Sequence, residues 1–178
     1  MQTCRVFDDE GTYRQPLIPK PALNTRIRHR LFIDSRDTNA NLTTFSFTVD
    51  LEAAGAPRFE RVENVELKAL TFPKTAEPYV IMDVAELNDD RLVSTNSAAH
   101  QSFAVCYFDA GTVLSVGQLA PMKGFDFYQR DIKFNPLLPK LNRLTVQFKH
   151  QDGSVVSKTD TNNVDHCSFM LEVTTCQY

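Results

Sequence analysis

The chain of 178 residues contains no tryptophan, only six glycines and four cysteines, and each scarcity removes a class of protein. An immunoglobulin-type sandwich normally has a Cys…Trp…Cys core, which a chain without tryptophan cannot build. The cysteines are Cys4, Cys106, Cys167 and Cys176, and no two stand in a C-x-x-C pair. A disulfide framework would place more cysteines at loop positions. Cys106 and Cys167 fall inside apolar runs instead, where a thiol behaves as a small hydrophobe. Reduced thiols and synthesis in the cytoplasm are expected. Met1 is followed by Gln-Thr-Cys-Arg-Val-Phe-Asp-Asp-Glu, which lacks the apolar centre of a signal peptide. No run approaches the roughly 20 apolar residues of a membrane span, so no transmembrane segment is expected.

Catalytic patterns are missing as well. His29, His100, His150 and His166 form no H-x-H, H-x-x-x-H or H-E-x-x-H pattern. His166 and Cys167 are neighbours, and on a strand they point to opposite faces, where they cannot share an ion. There is no G-x-G-x-x-G, phosphate loop or nucleophile elbow. Carboxylate pairs do occur, at Asp8-Asp9, at Asp89-Asp90, and at Asp34 with Asp37. Such a pair can serve as acid and base in glycoside cleavage. In loops, adjacent aspartates are expected as solvated or turn residues. Asp34-Ser35-Arg36-Asp37 is expected to form a turn in which Asp or Ser side chains bond backbone N–H groups and Arg36 pairs with a carboxylate. No catalytic residue, cofactor or metal site is expected.

What the chain does have is alternation. Phe45, Phe47, Val49 and Leu51 interleave with Ser46, Thr48 and Asp50; Leu144, Val146 and Phe148 interleave with Thr145, Gln147 and Lys149. Cys167, Phe169, Leu171 and Val173 share one face, with Ser168, Met170 and Glu172 on the other. A period of two makes a half-buried strand. The pattern predicts about eight strands, near 28–34, 44–51, 61–72, 78–87, 102–109, 125–134, 142–149 and 166–174. The predicted core includes Phe45, Phe47, Val49, Val65, Leu67, Leu144, Val146, Phe148, Phe169, Leu171 and Val173. No segment carries a capped helical stripe; residues 112–122 read as a short helix or a turn. Eight strands with unequal loops predict an all-β, single jelly-roll sandwich of two four-stranded antiparallel sheets, with Greek-key crossings. A chain of this length buries roughly 70% of its unfolded surface, enough for one domain over residues 28–178.

Residues 1–27 differ. Pro16, Pro19 and Pro21 block both helix and ladder and favour extended backbone, which predicts an N-terminal arm. Arg5, Arg14, Lys20, Arg26, Arg28 and Arg30 outnumber Asp8, Asp9 and Glu10, a net of +3 over residues 1–30 in a chain of net −3. The remainder is therefore at −6, and the whole has no general attraction for nucleic acid. Alternating Arg26, Arg28 and Arg30 would line one strand face with charge and meet phosphates or the acidic surface of another subunit. Subunit contact is expected, assisted by the apolar Leu17 and Ile18 of the arm.

Four pieces together resemble a known family. They are Leu31-Phe32-Ile33-Asp34-Ser35-Arg36-Asp37 leading into Phe45-Ser46-Phe47-Thr48-Val49; the stretch from Val62 to Phe72-Pro73; Leu141-Asn142-Arg143-Leu144-Thr145-Val146-Gln147-Phe148 with its turn at Gly153; and Phe169-Met170-Leu171-Glu172-Val173. Over about residues 28–175 the chain resembles the penton protein of nucleocytoplasmic large DNA viruses, a single jelly roll that closes the fivefold vertices of icosahedral shells. The resemblance implies a structural subunit of the virion and not an enzyme. It also implies a homopentamer, with major and minor capsid proteins as neighbours and no direct nucleic acid. Another minor capsid protein of such a shell is an alternative, as is a carbohydrate- or receptor-binding module. The latter should present loop aromatics in a groove, whereas Tyr79, Tyr107 and Tyr128 fall in predicted strands.

Overall fold

The computed structural model describes residues 25–38, 41, 43–56, 58–88, 94–108, 114–123, 126–128 and 131–177. Among these residues ten strands form: β1 (Thr25–Asp34), β2 (Ser46–Asp50), β3 (Phe59–Pro73), β4 (Tyr79–Val84), β5 (Ala104–Tyr107), β6 (Leu119–Lys123), β7 (Phe127–Tyr128), β8 (Asp131–Leu141), β9 (Arg143–Lys149) and β10 (Ser168–Gln177). They make two antiparallel sheets of five strands. The first runs β1-β10-β3-β6, with β8 also on β3; the second runs β2-β9-β4-β5-β7. β3 can hold two partners end to end on one edge because it is 15 residues long. β8 takes Phe59 to Glu66 and β6 takes Ala69 to Pro73.

The inner faces close on one aromatic core. Phe72 of β3 lies between Phe45 and Phe148, with ring centroids 4.8 and 4.5 Å away. Phe47 of β2 meets Phe169 of β10 at 6.2 Å. These contacts cross from one sheet to the other, which makes the molecule a β-sandwich. All the core residues expected from alternation are buried: Phe45, Phe47, Val49, Val65, Leu67, Leu144, Val146, Phe148, Phe169, Leu171 and Val173.

Alternation alone led to eight strands in two sheets of four, and the structure has two short strands more. The span 125–134 divides into β7 of the second sheet and the start of β8 of the first. Phe127 turns inward and Tyr128 outward, a pattern only two residues long. Residues 112–122, read as a helix or a turn, contribute β6. Its inward residues are Ala120 and Met122, while Leu119, Pro121 and Lys123 face out, so an exposed leucine blurs the alternation. Proline is tolerated there because β6 lies at a sheet edge. β1 begins at Thr25, three residues ahead of the expected strand start, so Arg26 belongs to the sheet.

Gly117 joins two loops. It has φ +87°, and a Cβ at that position would lie 2.8 Å from the Thr161 carbonyl, so only glycine fits. Among the described residues no helix is long and apolar enough to cross a membrane.

Candidate functional site

β1 is an edge strand, and its period of two divides it cleanly. Ile27, His29, Leu31 and Ile33 turn towards the core, while Arg26, Arg28, Arg30 and Phe32 turn out. The three arginines named from the sequence therefore share one face. Leu17 and Ile18, named with them, lie outside the described residues.

The neighbours of these arginines supply acid. Arg26 Nη2 donates to Glu63 Oε1 at 2.6 Å. Arg30 sits 3.5 Å from Glu172, which also faces Lys68 at 3.6 Å, and Lys68 donates to Glu66 at 2.6 Å. Glu172 is 9% exposed, so its charge needs these partners more than a surface carboxylate would. Arg28 has no carboxylate partner among the described residues. It begins a polar row across the sheet, opposite Thr174, which is opposite Asn64, which is opposite Lys133. Together with Phe134 and Leu137 these residues line an open groove of about 610 Å³. Asn64 Oδ1 is buried there without a hydrogen-bond donor.

Phe32 completes the edge. It continues the phase of the arginines, stands opposite Met170 and is 70% exposed. Reading the arginines alone passed over it, although its phase is visible in the sequence. An exposed aromatic beside arginines is the composition typical of interface anchors.

The Asp34-Ser35-Arg36-Asp37 turn forms as expected. Asp34 Oδ1 accepts from the Arg36 backbone N–H at 3.0 Å, and its carboxylate also takes the guanidinium. The hydrogen bond from that guanidinium is the main cause holding Asp34 down at about 2. Ser35 Oγ accepts from the Cys167 N–H at 2.9 Å, which ties the end of β1 to the chain entering β10.

His150 and the described cysteines are tied into the fold. His150 bridges loops, with Nε2 3.1 Å from Asp160. Its Nδ1 lies 3.4 Å from Glu77, short of hydrogen-bond geometry. Ser157 hydrogen bonds, chiefly, hold Asp160 below the ordinary carboxylate range. Cys106, Cys167 and Cys176 are free thiols. Burial pushes Cys106 far up and Cys167 up to about 12, so neither is a nucleophile at neutral pH. Among the described residues no group of three His, Cys, Asp or Glu converges on a point.

The second sheet carries a feature that sequence reasoning set aside. Tyr79, Tyr107 and Tyr128 do lie in strands, β4, β5 and β7, but they line one groove on the outer face. Strand placement had argued against an aromatic groove. Adjacent strands set their outward residues side by side, and the pairing of β5 with β7 brings Tyr128 beside Tyr107.

These features define an all-β sandwich with two differently equipped outer faces and an exposed, arginine-bearing edge. No model of a known protein family matches the chain, and no curated protein shows significant similarity to it.

Proposed function

We propose that the chain is a structural shell subunit, a single jelly roll that closes the fivefold vertices of a large icosahedral DNA virus as a homopentamer. Strand order is the observation that carries this reading. Leaving aside short β6 and β7, one sheet holds β1, β10, β3 and β8, and the other holds β2, β9, β4 and β5. The first strand pairs with the last, and the chain passes between sheets in the sequence a jelly roll follows when it winds. The long, exposed β1 edge supports a role in assembly. A ring needs contacts between unlike flanks, and an edge bearing Arg28, Arg30 and Phe32 is one such flank. Its partner would be an acidic flank of the next copy or of a major or minor capsid protein. The virion is then the site of action, and no direct nucleic-acid contact or catalysis is part of the role.

The test is incorporation into shells in an assembling system. Deleting residues 1–24 spares β1, so the sandwich should still fold while vertex incorporation falls. Arg28→Glu together with Phe32→Ser should lower incorporation without unfolding, since both side chains point to solvent. Normal vertex occupancy by both variants would refute the assigned contact edge. A purified protein that never enters a shell or forms a ring would refute the function.

A further inference from the structure

The tyrosine groove has a chemistry of its own. Its volume is about 330 Å³, and no charged side chain lines it among the described residues. Val105 and Ala99 make the floor and are buried in a small cluster with Ile81. Tyr79 and Tyr107 stand opposite each other with ring centroids 5.3 Å apart. Asn96 fixes that wall: its Nδ2 donates to the Tyr79 hydroxyl at 3.2 Å and to the Gln151 carbonyl at 3.0 Å. Tyr128 stands opposite Val105, so it is the diagonal neighbour of Tyr107, about 7–8 Å away between Cα atoms. Tyr107 and Tyr128 are 44% and 62% exposed, and nothing in the described structure covers them.

The chain contains a ligand of matching form. Residues 16–21 read Pro-Leu-Ile-Pro-Lys-Pro. We propose that this segment of one copy docks, as a left-handed polyproline helix, in the tyrosine groove of a second copy. Such a helix has three residues per turn and a rise of about 3.1 Å, so residues along one ridge repeat roughly every 9 Å, a little more than the separation of Tyr107 and Tyr128. Pro16 and Pro19 form one ridge, Ile18 and Pro21 a second, and Leu17 and Lys20 a third. Two ridges are apolar and the only charge sits on the third. An uncharged aromatic groove takes the first two and leaves Lys20 in water. The backbone carbonyls of a polyproline helix have no internal partners, and tyrosine hydroxyls at the rim can donate to them.

Docking within one molecule is ruled out by reach. Thr25 pairs with Gln177, and Thr175 pairs with Val62, near the start of β3. Tyr79 lies just beyond Pro73, at the far end of β3. At about 3.3 Å per residue, Val62 to Pro73 spans roughly 35 Å. The groove is also on the other sheet, at its β5–β7 side, while β1 edges the first. Fully extended chain from Thr25 back to Pro21 covers about 14 Å, and to Pro16 about 32 Å, with the body of the sandwich in the way. A second copy is therefore the acceptor.

The test is fluorescence anisotropy with a labelled peptide of residues 13–23. It is titrated into the full-length chain carrying Pro16→Ala, Pro19→Ala and Pro21→Ala, whose own arm no longer competes. Saturable binding is expected, weakened at least tenfold by adding Tyr107→Ala and Tyr128→Ala. Pro16→Ala with Pro19→Ala in the peptide should weaken it at least tenfold as well. Leu119→Ala, an exposed residue on the other sheet, should leave the affinity unchanged. An unaltered thermal melt of the tyrosine variant shows that its fold is intact. Lack of saturable binding, or equal affinity without the two tyrosines, overturns the proposal. So does a groove that binds a neutral saccharide such as maltotriose but not the peptide. The measurement needs no shell, so it can fail while the vertex reading stands, and the reverse.

Discussion

The two outer faces of the sandwich solve the same problem, a sheet surface in water, by different means. The face over β1, β10 and β3 is a charge lattice: Glu63, Glu66 and Glu172 answer Arg26, Lys68 and Arg30. The face over β4, β5 and β7 has no charged side chain in its groove among the described residues and is built on tyrosine rings. A charge lattice is sensitive to salt and pH, because its terms are Coulombic and screened within roughly 8 Å at physiological ionic strength. A tyrosine groove is sensitive to neither, because its terms are contact and burial. The first face suits register against a charged neighbour, and the second suits an apolar segment.

The contrast can be broken from the middle. Phe72 packs against Phe45 and Phe148 beneath both faces. Phe72→Ala should cost about 3–5 kcal/mol, read as a lower urea midpoint, and should disturb both faces together. A loss under about 1 kcal/mol would mean that the sheets do not share one core.

A smaller effect tests the charged face alone. Glu172→Ala removes the carboxylate between Arg30 and Lys68 and should cost about 1 kcal/mol at low salt. The deficit should shrink in high salt. Equal losses at both ionic strengths would assign Glu172 a packing role instead.

The pH dependence sharpens the same face. Asp34 titrates at about 2 in the folded chain, below its ordinary value of 3.8. The unfolded chain takes up the proton first as pH falls, so the stabilisation from Asp34 is complete above that ordinary value and is lost as pH drops towards 2. The melting temperature of Asp34→Asn should fall less steeply than that of the native chain in this window. Parallel curves would show that the Arg36 contact does not hold in solution.

The smallest expected change in stability is on the tyrosine face. Tyr128→Ala should shift stability by no more than about 0.5 kcal/mol, in calorimetry at any salt concentration. A large loss would make Tyr128 a part of the fold and not of a binding groove.

The sequence by itself determined the inward faces. Alternation in β2, β9 and β10 fixes which side chains are buried, since a strand has only two faces and water sorts them. It also placed Arg26, Arg28 and Arg30 on one face, and it marked the Asp34–Arg36 turn, because both are local. Only the tertiary structure decided what lies beside what. β6 and β7 are too short to announce themselves, and the exposed Leu119 blurs the alternation of β6; they form because β3 and β5 offer open edges. The pairing of Arg30 with Glu172, and of Tyr107 with Tyr79, joins residues far apart in the chain. Strand register sets such pairs, and register is a property of two strands together, which no single strand carries.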